Sequence, residues 1–302
     1  MKIFRFEARG VTRLGFEVGP LIYDIAQTLV KLGKPVPQAL LDADLKGLLT
    51  REGTGFFEKI EAELEDMTLA RRADETSCFE VPSVKILAPI GDPGKIICIG
   101  LNYKDHCTEQ NKEAPPYPML FSKFANTVRA TDETIPMPTT TEKLDFEGEL
   151  GVVIGKRGFR VKAENALSHV FGYTVIHDVS ARDLQKSDGQ WLRAKGQDGF
   201  APMGPCIVTA DEIGDPQTLG IRTKLNGQVM QDSNTGQMIF PVTELIRFIT
   251  EGITLEPGDI ISTGTPSGVG AHRKPPVFLK VGDRVEVEVE KIGRIVNTVA
   301  AS

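Results

Sequence analysis

The sequence predicts an α+β protein, mostly β, built in two parts. Three observations carry this expectation. The two longest runs of helical apolar spacing both lie before residue 75. A polar stretch, Ala73 to Pro82, then separates them from a region of short apolar runs broken by Gly and Pro. Within that region Val285-Glu286-Val287-Glu288-Val289-Glu290 alternates strictly, as a strand with one wet face does. The expected organisation is a small N-terminal α/β domain at 1–75, a polar linker, and a larger β-rich domain at 85–302.

Composition narrows the functional classes. The chain has 302 residues, 40% apolar and 25% charged, which suits a globular protein with a sizeable core. Net charge is −6 and the pI is near 5.4. No Lys/Arg block exceeds a few residues, which argues against nucleic acid or an anionic membrane as partner. No apolar run approaches ~18 residues, so no transmembrane helix is expected. The N-terminus has no apolar signal-peptide core. Arg5, Arg9 and Arg13 suit an organelle presequence, but Glu7, Glu17 and the early glycines do not. The expected location is the cytoplasm, or the mitochondrial matrix if a presequence has been removed. Cys78, Cys98, Cys107 and Cys206 lack C-x-x-C spacing and read as reduced thiols.

Taken in order, residues 1 to about 24 read as short strands with Gly-rich turns. Gln38 to Thr50 and Phe56 to Arg72 have helical spacing. Lys95 to Gly100 is a short buried strand. It opens onto a short helix that Asn102 is expected to cap, with Asp105 near the N3 position. On that helix His106 and Glu109 stand i, i+3 on one face. A carboxylate so placed can orient the imidazole and raise its basicity, giving a general-base dyad. The Pro-rich loop 114–118 follows, and a helix running into it could move as a lid. Met119 to Lys123 resumes a strand.

Leu144 to Gly155 is expected to be one strand. Side chains two apart share a face, so Glu147 and Glu149 project together, on a face that continues through Gly151 to apolar Val153. Two like charges at the edge of a core are costly unless neutralised. An oxygen-preferring divalent cation, Mg²⁺, Mn²⁺ or Ca²⁺, would do that. The bland alternative is a solvated edge strand, as at Val285–Glu290. A short helix is expected from Ala163 to Val170. Phe171 to Asp178 is a buried strand whose terminal Asp178 could complete a three-carboxylate site. His177 beside it reads as a satisfied core histidine.

Arg182 and Gln185 stand i, i+3 at the start of the next helix. Lys195 and Asp198 lie in a Gly-rich loop. Asn226-Gly227 marks a hairpin. Pro241 to Glu251 is a helix with Val242, Leu245, Ile246 and Ile249 as its core stripe. After the strand Ile260 to Thr263, the loop Gly264 to Gly270 lacks the Lys of a phosphate-binding loop. It could present backbone N–H groups and the Thr265 hydroxyl to a carboxylate.

Five separate motifs, in order from about Pro89 to Val299, resemble the fumarylacetoacetate hydrolase superfamily. They are Gly100-x-Asn102-Tyr103-x-x-His106-x-x-Glu109, Asp145-Phe146-Glu147-Gly148-Glu149-Leu150, and His177-Asp178-Val179-Ser180-Ala181-Arg182-Asp183. The fourth runs from Lys195 to Pro205 and the fifth from Thr263 to Gly270. Asp105 to Asn111, Phe121 to Ala125 and Arg273 to Lys280 most resemble the superfamily's domain-containing protein 2 type. The resemblance implies a mixed β-sheet roll with few helices, assembled as a homodimer. It implies Mg²⁺ or Mn²⁺ on Glu147, Glu149 and Asp178, and His106, Glu109 and Lys195 as catalytic residues. Arg182, Gln185 and Thr265 would bind substrate. The implied activity is metal-dependent chemistry on small 2-oxo (di)carboxylates through a stabilised enolate, with oxaloacetate keto–enol tautomerisation first. The alternatives are C–C hydrolysis of acylpyruvate or fumarylpyruvate, oxaloacetate decarboxylation, and a partner-binding protein that keeps the fold without catalysis.

Overall fold

A computed structural model describes residues 1–61 and 77–302. Its architecture is α+β and mostly β, as expected. Among the described residues, twelve strands join one mixed sheet and five join a second. The main path of the large sheet runs Cys78–Glu80, Leu21–Asp24, Val11–Val18, Lys2–Ala8, Ala201–Thr209, Val170–His177, Gly148–Ile154, Ile260–Ser262, Ile96–Gly100 and Met119–Lys123. The N-terminal strands thus enter the same sheet as the later ones, through Lys2 opposite Val208 and Ile3 opposite Ile207. Most neighbours are antiparallel; Ile260–Ser262 lies parallel to Ile96–Gly100.

Alternation along the central strands creates two cores. Leu150, Val152 and Ile154 of Gly148–Ile154 face one way, toward Ile221, Val285, Val287 and Ile295 of the second sheet. Val153 faces the other way, with Ile176 and Ile207, toward the helical residues Ile25, Leu29, Leu40 and Leu48. Each such side chain, once fully buried, contributes roughly 1.5–3 kcal/mol of transfer free energy. Glu149 shares the face of Val153 and is 1% exposed. The sequence therefore places its carboxylate inside a core, not at a wet edge.

Several local expectations change. The helix expected over Gln38–Thr50 is two, Gln38–Leu41 and Leu45–Glu52, with Ala43 left-handed between them. Asp44 starts the second by accepting the Gly47 N–H at 2.8 Å, a local bond that outcompetes helix continuation. The next helix is present over 55–61; its expected remainder to Arg72 lies outside the described residues. Cys78–Glu80, expected to be linker, pairs with Leu21–Asp24. The stretch 144–155 is two strands, Leu144–Asp145 and Gly148–Ile154, in different sheets. Ala163–His169 is a 3-10 helix. Val242–Thr250 is helical and buries the expected stripe.

Candidate active site

The break after Asp145 shapes the site. Leu144–Asp145 pairs with Ser180–Ala181, while Gly148 pairs with His177 at the end of its own strand. Glu147 sits between the two pairings and Asp178 beside it, tied by Asp178 N–H to Glu147 carbonyl at 2.8 Å. Glu147, Glu149 and Asp178 each bring one carboxylate oxygen within 4.8 Å of the others, and all three are buried.

Cations from three elements close on this cluster. The Lys195 ammonium, only 1% exposed, donates to Glu147 Oε2 at 2.6 Å and Asp178 Oδ2 at 2.8 Å. Lys195 ends a short helix, Leu192–Lys195, instead of lying in a loop. Lys123, at the end of the strand Met119–Lys123, places its ammonium 2.7 Å from Asp178 Oδ1. It also donates to the carbonyls of Val179, Lys195 and Phe200. Arg182 divides its guanidinium: Nε to Asp145 Oδ2 at 2.7 Å, Nη2 to Glu147 Oε1 at 2.5 Å, Nη1 to Gln185 Oε1 at 2.9 Å. Asp145 accepts three further backbone N–H groups, from Phe146, Gly270 and Ala271.

The charges do not balance. Four carboxylates (Asp145, Glu147, Glu149, Asp178) meet three cations (Lys123, Arg182, Lys195). Burial pushes the Glu147 carboxyl up, but Arg182 and Lys195 outweigh it and hold it below the usual range. Glu149 has no cation of its own. Burial, then Asp178 and Glu147, raise its pKa to about 8, although Ser262 Oγ at 2.5 Å and Gly264 N–H at 2.9 Å both donate to its Oε2. An excess of buried carboxylate with clustered oxygens is what a hard divalent cation satisfies. The donor set therefore fits a hard divalent cation, and Lys195 bridges two of its three carboxylates.

A cavity of about 400 Å³ opens on this cluster. Glu147, Glu149 and Lys195 line it, as do Gln185 and Thr265; Asp178 is reached through Lys195. His106 lines the same cavity from the helix Lys104–Glu109. Its Nδ1 lies 2.6 Å from Glu109 Oε1 and its Nε2 2.7 Å from the Gln110 amide. With Glu109 accepting the Nδ1 proton, Nε2 keeps the basic lone pair.

The helix is bolted to the glycine loop. Glu109 Oε2 accepts the Gly268 N–H at 2.9 Å, and Asp105 accepts the Ser233 hydroxyl at 2.6 Å. Gly264 (φ +98°) and Gly268 (φ +101°) take backbone conformations that favour glycine. A Cβ on Gly268 would lie 2.1 Å from the Met230 carbonyl oxygen.

Some sequence expectations fail here. Asn102 does not cap the helix, whose N-cap is Tyr103. The Asn102 amide spans to the Thr263 and Phe240 carbonyls and accepts the Phe240 N–H, so the backbone of two distant loops claims it. The glycine loop does offer N–H groups to carboxylates, but to the chain's own Glu149 and Glu109. The Thr265 hydroxyl donates to the Gly148 carbonyl and accepts from Gln231. His177 is buried and burial, with Lys123, lowers its pKa to about 3. Its Nε2 has no hydrogen-bond partner among the described residues, so it is not a satisfied core histidine. Lys123, Asp145 and Gln110 belong to the site without having been singled out. Lys123 ending a short apolar strand was the available signal.

Comparisons with known proteins bear on the family and the fold. The family model described as fumarylacetoacetate (FAA) hydrolase C-terminal matches residues 95–300. The mitochondrial oxaloacetate tautomerase FAHD2A of Bos taurus is 50% identical over 248 residues, covering 81% of this chain and 78% of that one. A fumarylacetoacetate hydrolase from the psychrophilic Exiguobacterium antarcticum superposes with a TM-score of 0.82 at 36% identity, over 100% of both chains. A maleylpyruvate hydrolase from Sphingobium sp. SYK-6, in complex with manganese (II) ion and pyruvate, does so at 0.78 and 28% identity, over 100% of both chains. On motif order, fold and likeness together, the chain belongs to the fumarylacetoacetate hydrolase family.

Proposed function

We propose that this protein is a divalent-metal-dependent oxaloacetate keto–enol tautomerase. The observation that carries the reading is one cavity that presents an unbalanced buried carboxylate cluster and a His106–Glu109 pair together. The likeness to the bovine tautomerase supports the choice of substrate.

Glu147, Glu149 and Asp178 hold the metal. Mg²⁺, or Mn²⁺ in its place, supplies Lewis-acid stabilisation of a 2-oxo acid's enolate oxygen when bound. His106 Nε2 moves the proton between the substrate's enol oxygen and C3; the reaction is an isomerisation, so the proton count balances. Glu109 fixes the tautomer and stabilises the imidazolium. The Gln110 amide must leave Nε2 for that transfer. Lys195 holds Glu147 and Asp178 in place and faces the substrate. Arg182 acts through Glu147 and Gln185, and Thr265 shapes the wall. The N-terminal segment serves packing and assembly.

The test follows the ultraviolet decay of enol-oxaloacetate with Mg²⁺ and with EDTA, while pyruvate is measured in parallel. Fast Mg²⁺-dependent decay without pyruvate is expected, and matching pyruvate release would indicate a decarboxylase. His106→Ala is expected to slow decay by about 10²- to 10⁴-fold while metal affinity holds. A second reading, C–C hydrolysis, is favoured by the likeness to the maleylpyruvate hydrolase. It wins if acylpyruvate or fumarylpyruvate is cleaved while enol-oxaloacetate decay is not accelerated. A non-catalytic scaffold would show neither reaction.

No described helix is long and apolar enough to cross a membrane. The mitochondrial naming of relatives supports the matrix over the cytoplasm as location, which fractionation tests. A homodimer is proposed on the family likeness, and light scattering on the purified protein tests it.

A further inference from the structure

We propose that Lys112 and Lys186 form the subsite for the second carboxylate of a small 2-oxo dicarboxylate. The inference rests on the tautomerase reading for its substrate and adds what selects a dicarboxylate over a monocarboxylate.

Most cations at or near the cavity are already committed to other partners. Arg182 has the fork such a carboxylate wants, but all three of its nitrogens already donate to Asp145, Glu147 and Gln185. The Lys195 ammonium is buried between Glu147 and Asp178. Lys123 is fully buried, against Asp178 and three carbonyls. Burial lowers the His272 pKa, so this ring at the cavity is neutral near pH 7. The two remaining cations that line the cavity are Lys112 and Lys186. Both are exposed, and among the described residues neither has a carboxylate within ion-pair distance.

Each lysine is set by its backbone. Asn111 turns left-handed (φ 53°) at the end of the His106 helix, and the Lys112 N–H returns to the Cys107 carbonyl at 3.0 Å. That closure is of the kind that ends helices and fixes the next residue's direction. Lys186 lies i+4 from Arg182 on the helix Arg182–Ser187, so the two share one face. The lining of the cavity thus combines a cluster rich in carboxylate with two lysines that have no ion pair among the described residues. A substrate whose 2-oxo acid end meets the metal site carries its second carboxylate away from Glu147 and Glu149, which repel it. A monocarboxylate such as pyruvate has nothing to offer the lysines.

The experiment compares wild type with the Lys112→Gln/Lys186→Gln and Lys112→Arg/Lys186→Arg double variants. It reads kcat and KM for enol-oxaloacetate, the inhibition constant of pyruvate, and calorimetric binding of oxaloacetate against pyruvate with Mg²⁺ present. Exposed ion pairs are weak, so about a two- to five-fold loss per lysine, or roughly ten-fold together, is expected. The loss falls on KM and not on kcat, as for a uniform binding contact. Pyruvate inhibition stays unchanged, the arginine variant recovers the KM, and high salt erases the difference between wild type and the glutamine variant. An unchanged KM in the glutamine variant overturns the subsite, and so does a parallel weakening of pyruvate. A wild type inactive on enol-oxaloacetate overturns the tautomerase reading instead. In that case binding still decides the subsite: it stands if the wild type prefers oxaloacetate to pyruvate and the glutamine variant loses that preference, and it falls otherwise.

Discussion

Two stretches of this chain carry glutamates at every second residue, and they end in opposite environments. Glu147 and Glu149 are 5% and 1% exposed. Glu286, Glu288 and Glu290 lie on the outer face of Arg284–Val289 and the turn after it, where the strand alternates between exposed and buried. Arginines of the same sheet meet Glu286: Arg284 forms an ion pair with it, and Arg294 stands 3.3 Å from its Oε2. The spacing is identical, so spacing is not the signal. The residue between the glutamates and the run that follows differ. Valines on the opposite face of Arg284–Val289 bury one side and leave Glu288 and Glu290 exposed, with Glu286 half-buried beneath the arginines. Gly148, by contrast, sits where a Cβ would lie 2.4 Å from Thr223 Oγ1. Its missing side chain lets the second sheet close on that face of the strand, while Glu149 points to the opposite side, where Ser262 and Gly264 cover it.

That difference predicts unequal consequences within the buried pair. Repulsion alone would make either glutamate dispensable to the fold, but their partners separate them. Glu147→Ala leaves Arg182 and Lys195 without a shared carboxylate in a buried setting. Breaking one side of a buried ion pair costs about 3–5 kcal/mol, so urea unfolding should show a loss of that order along with loss of activity. Retention of wild-type stability would mean that water or Asp145 replaces the carboxylate at no cost. Glu149→Gln replaces the carboxyl that has no cation of its own with a neutral amide. Mg²⁺ binding by titration should fail, while the melting temperature of the metal-free protein holds or rises. A large fall in that temperature would show that Glu149 is satisfied as an anion.

The same contrast has a pH signature. The folded-state pKa of Glu149 is about 8, above the ordinary glutamate value near 4.3. The folded protein therefore binds the extra proton. Its stabilising contribution is fully present below the unfolded value and is lost as pH rises through the folded one. Metal-free protein should lose thermal stability from about pH 4 to about pH 8 through this group, with little further loss above. Mg²⁺ should flatten the slope, and Glu149→Gln should abolish it. A slope that survives in Glu149→Gln would assign it to another residue.

The sequence made parts of this site readable because their chemistry is local. His106 and Glu109 are one helical turn apart and meet as expected, at 2.6 Å. Glu147, Glu149 and Asp178 converge because their strands are neighbours in the sheet, and strand ends with carboxylates can be seen in one dimension. Lys123 could not be assigned this way. It reaches Asp178 across 55 positions, and nothing around it says that a lysine closing an apolar strand will be fully buried. Arg182 was legible as a fork, but not as one already filled, because Asp145 and Glu147 lie 37 and 35 positions away in the sequence. The helix over 38–50 failed for a different reason. Its apolar period is continuous, yet Asp44 offers a competing hydrogen bond to Gly47. Asn102 shows the converse, a good capping residue diverted by carbonyls 138 and 161 positions away.

The smallest expected effect is in the exposed stretch. Glu286→Ala removes an ion pair with Arg284 and the contact with Arg294, each arginine about half exposed or more. Such pairs are worth roughly 0–1 kcal/mol because water solvates the arginines and salt screens the pairing. Glu288 faces Arg222 and Arg294 across the sheet by strand register, and its replacement should cost no more. The double variant Glu286→Ala/Glu288→Ala should bind Mg²⁺ like wild type and keep its turnover, with a stability loss that shrinks in high salt. Two results would collapse the comparison. A salt-insensitive loss of several kcal/mol would mean that the outer glutamates carry buried interactions. A loss of Mg²⁺ binding would mean that alternating glutamates bind the metal wherever they stand, and burial would no longer distinguish the site.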